Sequence, residues 1–343
     1  MRKKIRFGLK VLIILLCPLP AFCQEDIGEL FKSGPGDATQ LINAYISPLF
    51  KGLGIGLNSG WTNTAKAKKP LRFDLRITGT AAFVPNADKA YDVNTLNLTG
   101  LRPVDPNKTV APTAFGAETE GAEMEFYSNG FATGQFKLPK GTGVGVVPSP
   151  QVQLTIGLLK NMDVSVRLVP KVKISEDAGD ISLFGIGTKL ELLPMLMGKK
   201  AKITPIDIAI AGGYSKLKYN LPLNVNDEPV SDQNVSVEVT GYSVEAIVSK
   251  KLAFFTPFGS IGYTTSTSDL KALGSYKFDA PTPLDPNYQQ TYVDPINYSK
   301  KDIDGLKATI GFQMNLGFFR IYTSYTQAQY SYANAGIGFG IGK

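Results

Sequence analysis

The chain of 343 residues carries 36 Lys and Arg against 29 Asp and Glu, two cysteines and no histidine. Without histidine it lacks the usual general base, the commonest metal ligand and the Ser-His and Cys-His triads. Both cysteines fall within the first 23 residues, so the rest of the chain offers no thiol nucleophile, thiolate metal site or disulfide framework.

Arg2, Lys3, Lys4, Arg6 and Lys10 precede the short apolar run Val11–Leu16, and Ala21-Phe22-Cys23 before Gln24 supplies the small residues of a signal-peptidase site. The run is too short to span a membrane, so residues 1–23 read as an export signal. A lipoprotein reading through Cys17 or Cys23 fits less well, because Leu16 and Phe22 stand where a small residue is wanted. The leader removes five basic residues and no acid, leaving 31 against 29 and a net charge of +2. Charge therefore gives no argument for a nucleic-acid partner. No later window approaches 18 uninterrupted apolar residues, which excludes helical spans.

Residues 24–50 have helical spacing. Leu30 and Phe31, then Leu41, Ile42, Tyr45 and Ile46, recur one turn apart, Gly34-Pro35-Gly36 breaks the run, and Asp37 is the expected N-cap. This segment is expected to pack on the periplasmic rim or to enter a barrel formed by residues 51–343. Docking of a partner on the helix is the alternative.

The period then changes to two, and an alternation of apolar and polar side chains marks strands. Gly52–Thr62 sets Leu53, Ile55 and Leu57 against glycines, and Leu71–Phe83 sets Leu71, Phe73, Leu75 and Ile77 against Arg72, Asp74, Arg76, Thr78 and Thr80. Residues 85–122 have no period and read as a long loop, with a weakly patterned strand at Glu123–Leu138. Val152–Leu159 and Met162–Ile174 form a hairpin across Lys160-Asn161, with a bulge expected at Pro170, which has no ladder donor. Ile181–Leu193, Ile203–Lys218, Val235–Val248 and Leu252–Ser266 follow, the third changing parity near Gly241-Tyr242 as a bulge would. Residues 267–305, rich in proline, read as a second long loop, and Ala308–Lys343 supplies three more strands of roughly ten residues each.

Ten residues tilted by about 45° cross a bilayer, and the 35 glycines, 15 tyrosines and 19 phenylalanines suit a barrel's bends and interfacial girdles. The fold class expected is all-β, a transmembrane antiparallel up-and-down β-barrel of about 12 strands (about 12–14). With that count the short turns fall on the periplasmic side and the long loops outside, except that 85–122 is long yet periplasmic. The girdle candidates are Phe318, Tyr322, Tyr325, Tyr330 and Tyr332.

If the apolar faces meet lipid, the charged faces point inward, because charge on the lipid side costs about 2–4 kcal/mol at mid-depth. The lumen-lining candidates are Arg72, Asp74, Arg76, Asp163, Arg167, Lys171, Lys173, Lys189, Glu191, Asp207 and Arg320. They line either a mixed-charge pore or an ion-paired network that stabilises a narrow barrel. A solvated lumen is the sufficient account of the carboxylates, Glu238 and Glu245 included, so no catalytic pair is assigned. The glycine run 52–60 departs from nucleotide-binding spacing, and the Asp-rich segments 92–105 and 285–304 lack the spaced ligands of a Ca²⁺ loop. No catalytic residue, cofactor or metal site is expected, and the chain does not read as an enzyme.

Leu41–Phe50, the following Gly52–Trp61, and Phe73-Asp-Leu near Ala82-Phe-Val-Pro85 resemble an uncharacterised family of predicted outer-membrane proteins of Bacteroidetes-type bacteria. A remoter likeness is to outer-membrane transporters of hydrophobic compounds. The resemblance implies location and fold, and no activity. One departure is the C-terminus, Phe339-Gly-Ile-Gly-Lys343, where many outer-membrane barrels end in an aromatic residue. The reading favoured is a Gram-negative outer-membrane barrel acting as a passive channel or transporter for small, including hydrophobic, molecules. The alternative is a non-transporting barrel that docks a partner protein through its long loops. A third is a soluble periplasmic or secreted β protein. The partners expected are outer-membrane lipid and a small-molecule solute.

Overall fold

The period-two segments close into an antiparallel barrel. The computed structural model describes residues 34–128, 131–175, 179–222, 233–279 and 289–340; the expected export signal and the residues Leu30 and Phe31 lie outside them. Helix α1 (Pro35–Asn58) comes first, then β1 (Phe73–Phe83). A long connection carries the short strands β2 (Ala90–Asp92), β3 (Leu101–Pro103), β4 (Val110–Pro112), β5 (Glu123–Ser128) and β6 (Phe131–Lys137). Then come β7 (Val146–Leu159), β8 (Met162–Lys173), β9 (Asp180–Glu191), the short helix α2 (Leu193–Met197), β10 (Asp207–Pro222), β11 (Asn234–Ser249) and β12 (Phe255–Leu273). The hairpin β13 (Ser275–Asp279) and β14 (Gln289–Val293) precedes β15 (Ile296–Leu316), β16 (Phe319–Gln327) and β17 (Tyr332–Gly340).

Ten strands form the wall, in the order β1, β17, β16, β15, β12, β11, β10, β9, β8, β7. β1 closes it, pairing Asp74 with Gly340 of β17 and with Thr155 of β7. The sequence pattern suggests about 12, and the two extra strands have separate causes. Gly52–Thr62 is the last part of α1 and the chain after it, and β5 and β6 pair with each other outside the wall.

Removing those two strands moves the connection 84–145 to the same end as 174–179, 223–233 and 274–295. The exception in the loop pattern disappears: every connection at the other end is short, apart from 192–206, which carries α2. The expected loop 267–305 shrinks in turn, because β12 continues to Leu273 and β15 starts at Ile296. The bulge at Pro170 is present, as a register shift between Val169 and Val172. The one expected near Gly241 is not: β11 pairs without a break with both neighbours. There the inward face changes its surroundings, from apolar Val235, Val237 and Val239 beside α1 to polar Ser243 and Glu245 further down.

The outer face is apolar around the wall. Ile261, Leu306 and Ile310 are 70%, 78% and 71% exposed, and Leu75, Leu154, Phe184, Val244 and Phe339 face outward on other strands. Inside, the lumen has two tiers. Near the long-loop end Leu183, Leu217, Val239 and Leu270 pack on Leu41, Phe50 and Leu57 of α1. Towards the short-turn end the inward side chains are polar, among them Gln153, Thr155, Ser165, Lys189 and Glu191.

An α-helix with its side chains is about 10–12 Å across, and an eight-strand barrel is just filled by its own side chains. Ten strands leave room for one narrowed helix. Gly52 and Gly56 lie one turn apart against Val147 and Ser149 of β7, and Gly54 faces the other way onto Ser266 of β12; a Cβ at any of the three would overlap its neighbour. The period of two in this stretch therefore records a helix held between two walls. Gly56→Leu is expected to destabilise the folded barrel by roughly 1–3 kcal/mol, read as a lower midpoint of the heat-induced gel shift in detergent. The exposed Gly79→Leu, whose added Cβ meets nothing within 4 Å, should leave that midpoint unchanged.

Candidate functional site

The lumen and its occupant form the site. Pro35 opens α1 at its first position, where the absent N–H is no loss, and Gly34 before it takes a φ of 93°. Asp37 does not cap its own helix as expected. It lies inside the first turn and accepts hydrogen bonds from the backbone N–H of Thr99 (2.9 Å) and Gly100 (2.7 Å), tying α1 to the long-loop connection. A second tie joins three elements: Lys51 Nζ lies 2.7 Å from Asp88 Oδ2, and the Tyr330 hydroxyl donates to the same oxygen at 2.5 Å. Burial, with the hydrogen bond to Asp88 next, pushes the Tyr330 phenol well above its ordinary range.

α1 thus starts at the long-loop end and descends. Beyond Asn58 the chain continues as an extended strap, 59–72, which leaves the lumen at the short-turn end and turns into β1. Three levels of the wall hold it. At the first, Arg167 is 1% exposed and donates to the carbonyls of Leu57 (3.0 Å) and Ser59 (2.7 Å). Its guanidinium lies 3.8 Å from the centre of the Trp61 ring. The ring rests on Gly187 and Gly213, which pair across β9 and β10, and a Cβ on either would overlap it. At the second level Arg76 donates to the Trp61 carbonyl at 2.7 Å, and Thr62 bonds Glu245, whose other oxygen pairs with Lys307 at 3.1 Å. At the third, Lys66 pairs with Glu191 (2.7 Å) and Asp207 (3.2 Å), while Lys68 pairs with Asp74 (2.7 Å). Lys189 donates to the carbonyls of Thr64 and Lys66 and pairs with Asp163 at 3.2 Å.

Of the residues expected to line the lumen, Asp74, Arg76, Asp163, Arg167, Lys189 and Glu191 are buried in it, with Asp207 and Arg320 partly buried, Arg320 beside Asp74. They meet the strap rather than an open pore. Arg72, Lys171 and Lys173 are exposed instead. Arg72 precedes the first wall residue, and the two lysines follow the bulge at Pro170, near the long-loop end, where Lys171 pairs with Asp180. Among the expected girdle residues Phe318 and Tyr325 face outward, whereas Tyr322, Tyr330 and Tyr332 are buried inside. Of the strap's own contributors, Trp61 is hidden because residues 52–62 read as wall, and Lys66 and Lys68 because they fall in the link between that stretch and Leu71–Phe83. Their one visible signal is the lone tryptophan closing a glycine run.

Open space lies beside the segment at two places. A gap of about 30 Å³ beside Trp61, Asp74 and Lys189 is enough for a water. A larger cavity of about 480 Å³ lies at the long-loop end, between α1, residues 87–113 and β15. Among the described residues no cluster of acidic side chains is set to hold a metal.

The chain belongs to a family of unknown function, DUF6588, whose model matches residues 1–341. No curated protein matches it. Solved structures similar to it include Ail, the attachment invasion locus protein of Yersinia pestis, at 8% identity and a TM-score of 0.27 over 80% of this chain and 100% of that one. The toluene transporter TodX of P. putida follows at 9%, with a TM-score of 0.28 over 84% and 72%. The translocator domain of the autotransporter NalP from Neisseria meningitidis gives 11% and a TM-score of 0.28 over 80% and 90%. Scores of this size carry no argument about activity.

The Glu245–Lys307 pair, buried against the strap, supplies a test of how the lower lumen is held. Lys307→Met alone should destabilise the barrel by roughly 3–5 kcal/mol, because it leaves a buried carboxylate uncompensated. Adding Glu245→Gln should recover most of that loss, measured as denaturant midpoints in detergent. An equal loss in single and double variants would contradict the pairing.

Proposed function

We propose that this chain is an exported barrel of the outer membrane, closed by its own N-terminal segment, and that it works through its long-loop end as a docking surface for a partner. The observation that carries the reading is the strap. Residues 35–69 occupy the lumen and bond to the wall at three levels. A passive channel needs an open path, and the gap beside Trp61, Asp74 and Lys189 in the lower lumen is about 30 Å³, room for a water.

The membrane location rests on the closed sheet and its outer face. A closed barrel satisfies its backbone without an edge, and soluble monomers rarely expose apolar patches beyond a few hundred Å². Among the described residues no helix is long and apolar enough to cross a membrane; the closed sheet with its apolar outer face carries the reading. That argues against a soluble β protein. With the short turns periplasmic, the start of α1 and the connection 84–145 both face the cell exterior.

One observation favours a second reading, a gated transporter for small molecules. Arg76, Arg167, Lys189 and Glu191 spend their hydrogen bonds on the strap, so its withdrawal would expose a polar lumen of both charges. Conductance in a planar bilayer separates the readings. The wild-type barrel should show no steady current, whereas a variant lacking residues 35–64 should show stable steps whose ion selectivity shifts with Arg76→Glu. Steady steps from the wild type would overturn the closed-barrel reading, and steps that appear on adding a solute would favour the gated transporter.

A further inference from the structure

The cavity of about 480 Å³ at the long-loop end has a volume within the usual range of small-molecule sites, about 300–1,000 Å³. One wall is a single face of α1: Gln40, Asn43, Ala44, Ser47 and Pro48 fall at helical spacing along it. Pro48 has no N–H, so the carbonyl of Ala44 lacks its in-helix donor on that same face. The opposite wall includes Tyr91 and Tyr298.

The walls are fixed independently of any ligand. Gln40 spends both ends of its amide on the backbone of Asn97, at 2.9 and 3.0 Å. The Thr113 hydroxyl donates to the carbonyl of Asp88 at 2.9 Å, and Asp37 holds Thr99 and Gly100. The groups that face the space are in the opposite condition. The side chains of Asn43, Ser47, Tyr91 and Tyr298 make no hydrogen bond among the described residues. Burial holds the Tyr91 phenol above its ordinary range, so it is a neutral hydroxyl at physiological pH.

Of the two charged residues lining the cavity, Asp88 and Lys300, neither is both buried and unpaired. Asp88 is engaged by Lys51 and Tyr330, and Lys300 is exposed. The Asn43 amide and Ser47 hydroxyl on the helix wall, with the hydroxyls and rings of Tyr91 and Tyr298 on the other, match a ligand that has hydroxyls at its rim and an apolar ring face. We infer that this cavity is a binding site for a small neutral saccharide, held between the helix that fills the barrel and the connection that covers its long-loop end.

The inference does not rest on the closed-barrel reading, and its test works in solution. Purified full-length protein in an amine-oxide detergent, whose head group is not a sugar, is titrated calorimetrically with glucose, N-acetylglucosamine, maltose and lactose. At least one of them should bind saturably, and the double variant Asn43→Leu, Ser47→Leu should weaken that binding by about tenfold or more. The heat-induced gel shift reports that the barrel is intact. Ser47→Phe, which places a ring in the space, should abolish binding and serves as the test if the double variant does not fold. Absence of saturation by all four sugars up to about 10 mM, or equal binding by wild type and folded variants, would overturn the assignment. Because this readout is equilibrium binding and not current, its failure leaves the lumen closure untouched, and the converse holds.

Discussion

Closing a sheet of ten strands creates an interior that must be filled or wetted, and this chain fills it with its own first segment. The constraint acts in both directions. The wall is too narrow for an ordinary helix, so α1 carries glycine at 52, 54 and 56, where its backbone lies against Val147, Ser266 and Ser149. The strap in turn is too polar to stand against an apolar wall, so the inward faces below Asn58 carry arginine, lysine, carboxylates and hydroxyls. The two-tier lumen is the result: apolar beside the helix, polar beside the extended chain.

Arg167 is the point where the two tiers meet. A buried guanidinium costs several kcal/mol of lost hydration unless its donors are used. Here two of its nitrogens reach the carbonyls at the end of α1, its Nε donates to Gln153 at 3.0 Å, and its face lies on Trp61. Such a desolvated cation over tryptophan is worth about 2 kcal/mol. The carbonyls it serves belong to the last helical turn and the residue after it, which have no partner inside the helix. One wall residue therefore ends the helix, aims the strap and seats the tryptophan.

Most of the wall was legible in the sequence, because the exposed outer face and the filled interior impose opposite demands on alternate residues. Strands such as β1, β8 and β17 could be placed within a few residues from Leu75 and Ile77, Val164 and Val166, or Ile337 and Phe339. Legibility failed where the surroundings changed without any change in local pattern. The glycines at 52, 54 and 56 repeat every two residues on a helix because its opposite sides touch opposite walls. Along β11 the apolar residues switch faces with no bulge, because α1 replaces water on the inside. Arg76, Arg167, Lys189 and Glu191 are buried together inside the wall, but the segment they bond was missed, since no strand-by-strand reading reveals that the chain passes through its own barrel.

Trp61, the single tryptophan, sits on the strap at the centre of the lumen and is 4% exposed, so its fluorescence reports directly on that passage. The decisive measurement is collisional quenching of Trp61 by iodide and acrylamide in the folded, detergent-solubilised protein and again after heat unfolding. A filled barrel predicts almost no quenching in the folded state and full quenching once it unfolds. Quenching of the folded protein as strong as that of the unfolded chain would mean that the segment lies outside the lumen, and would contradict the account.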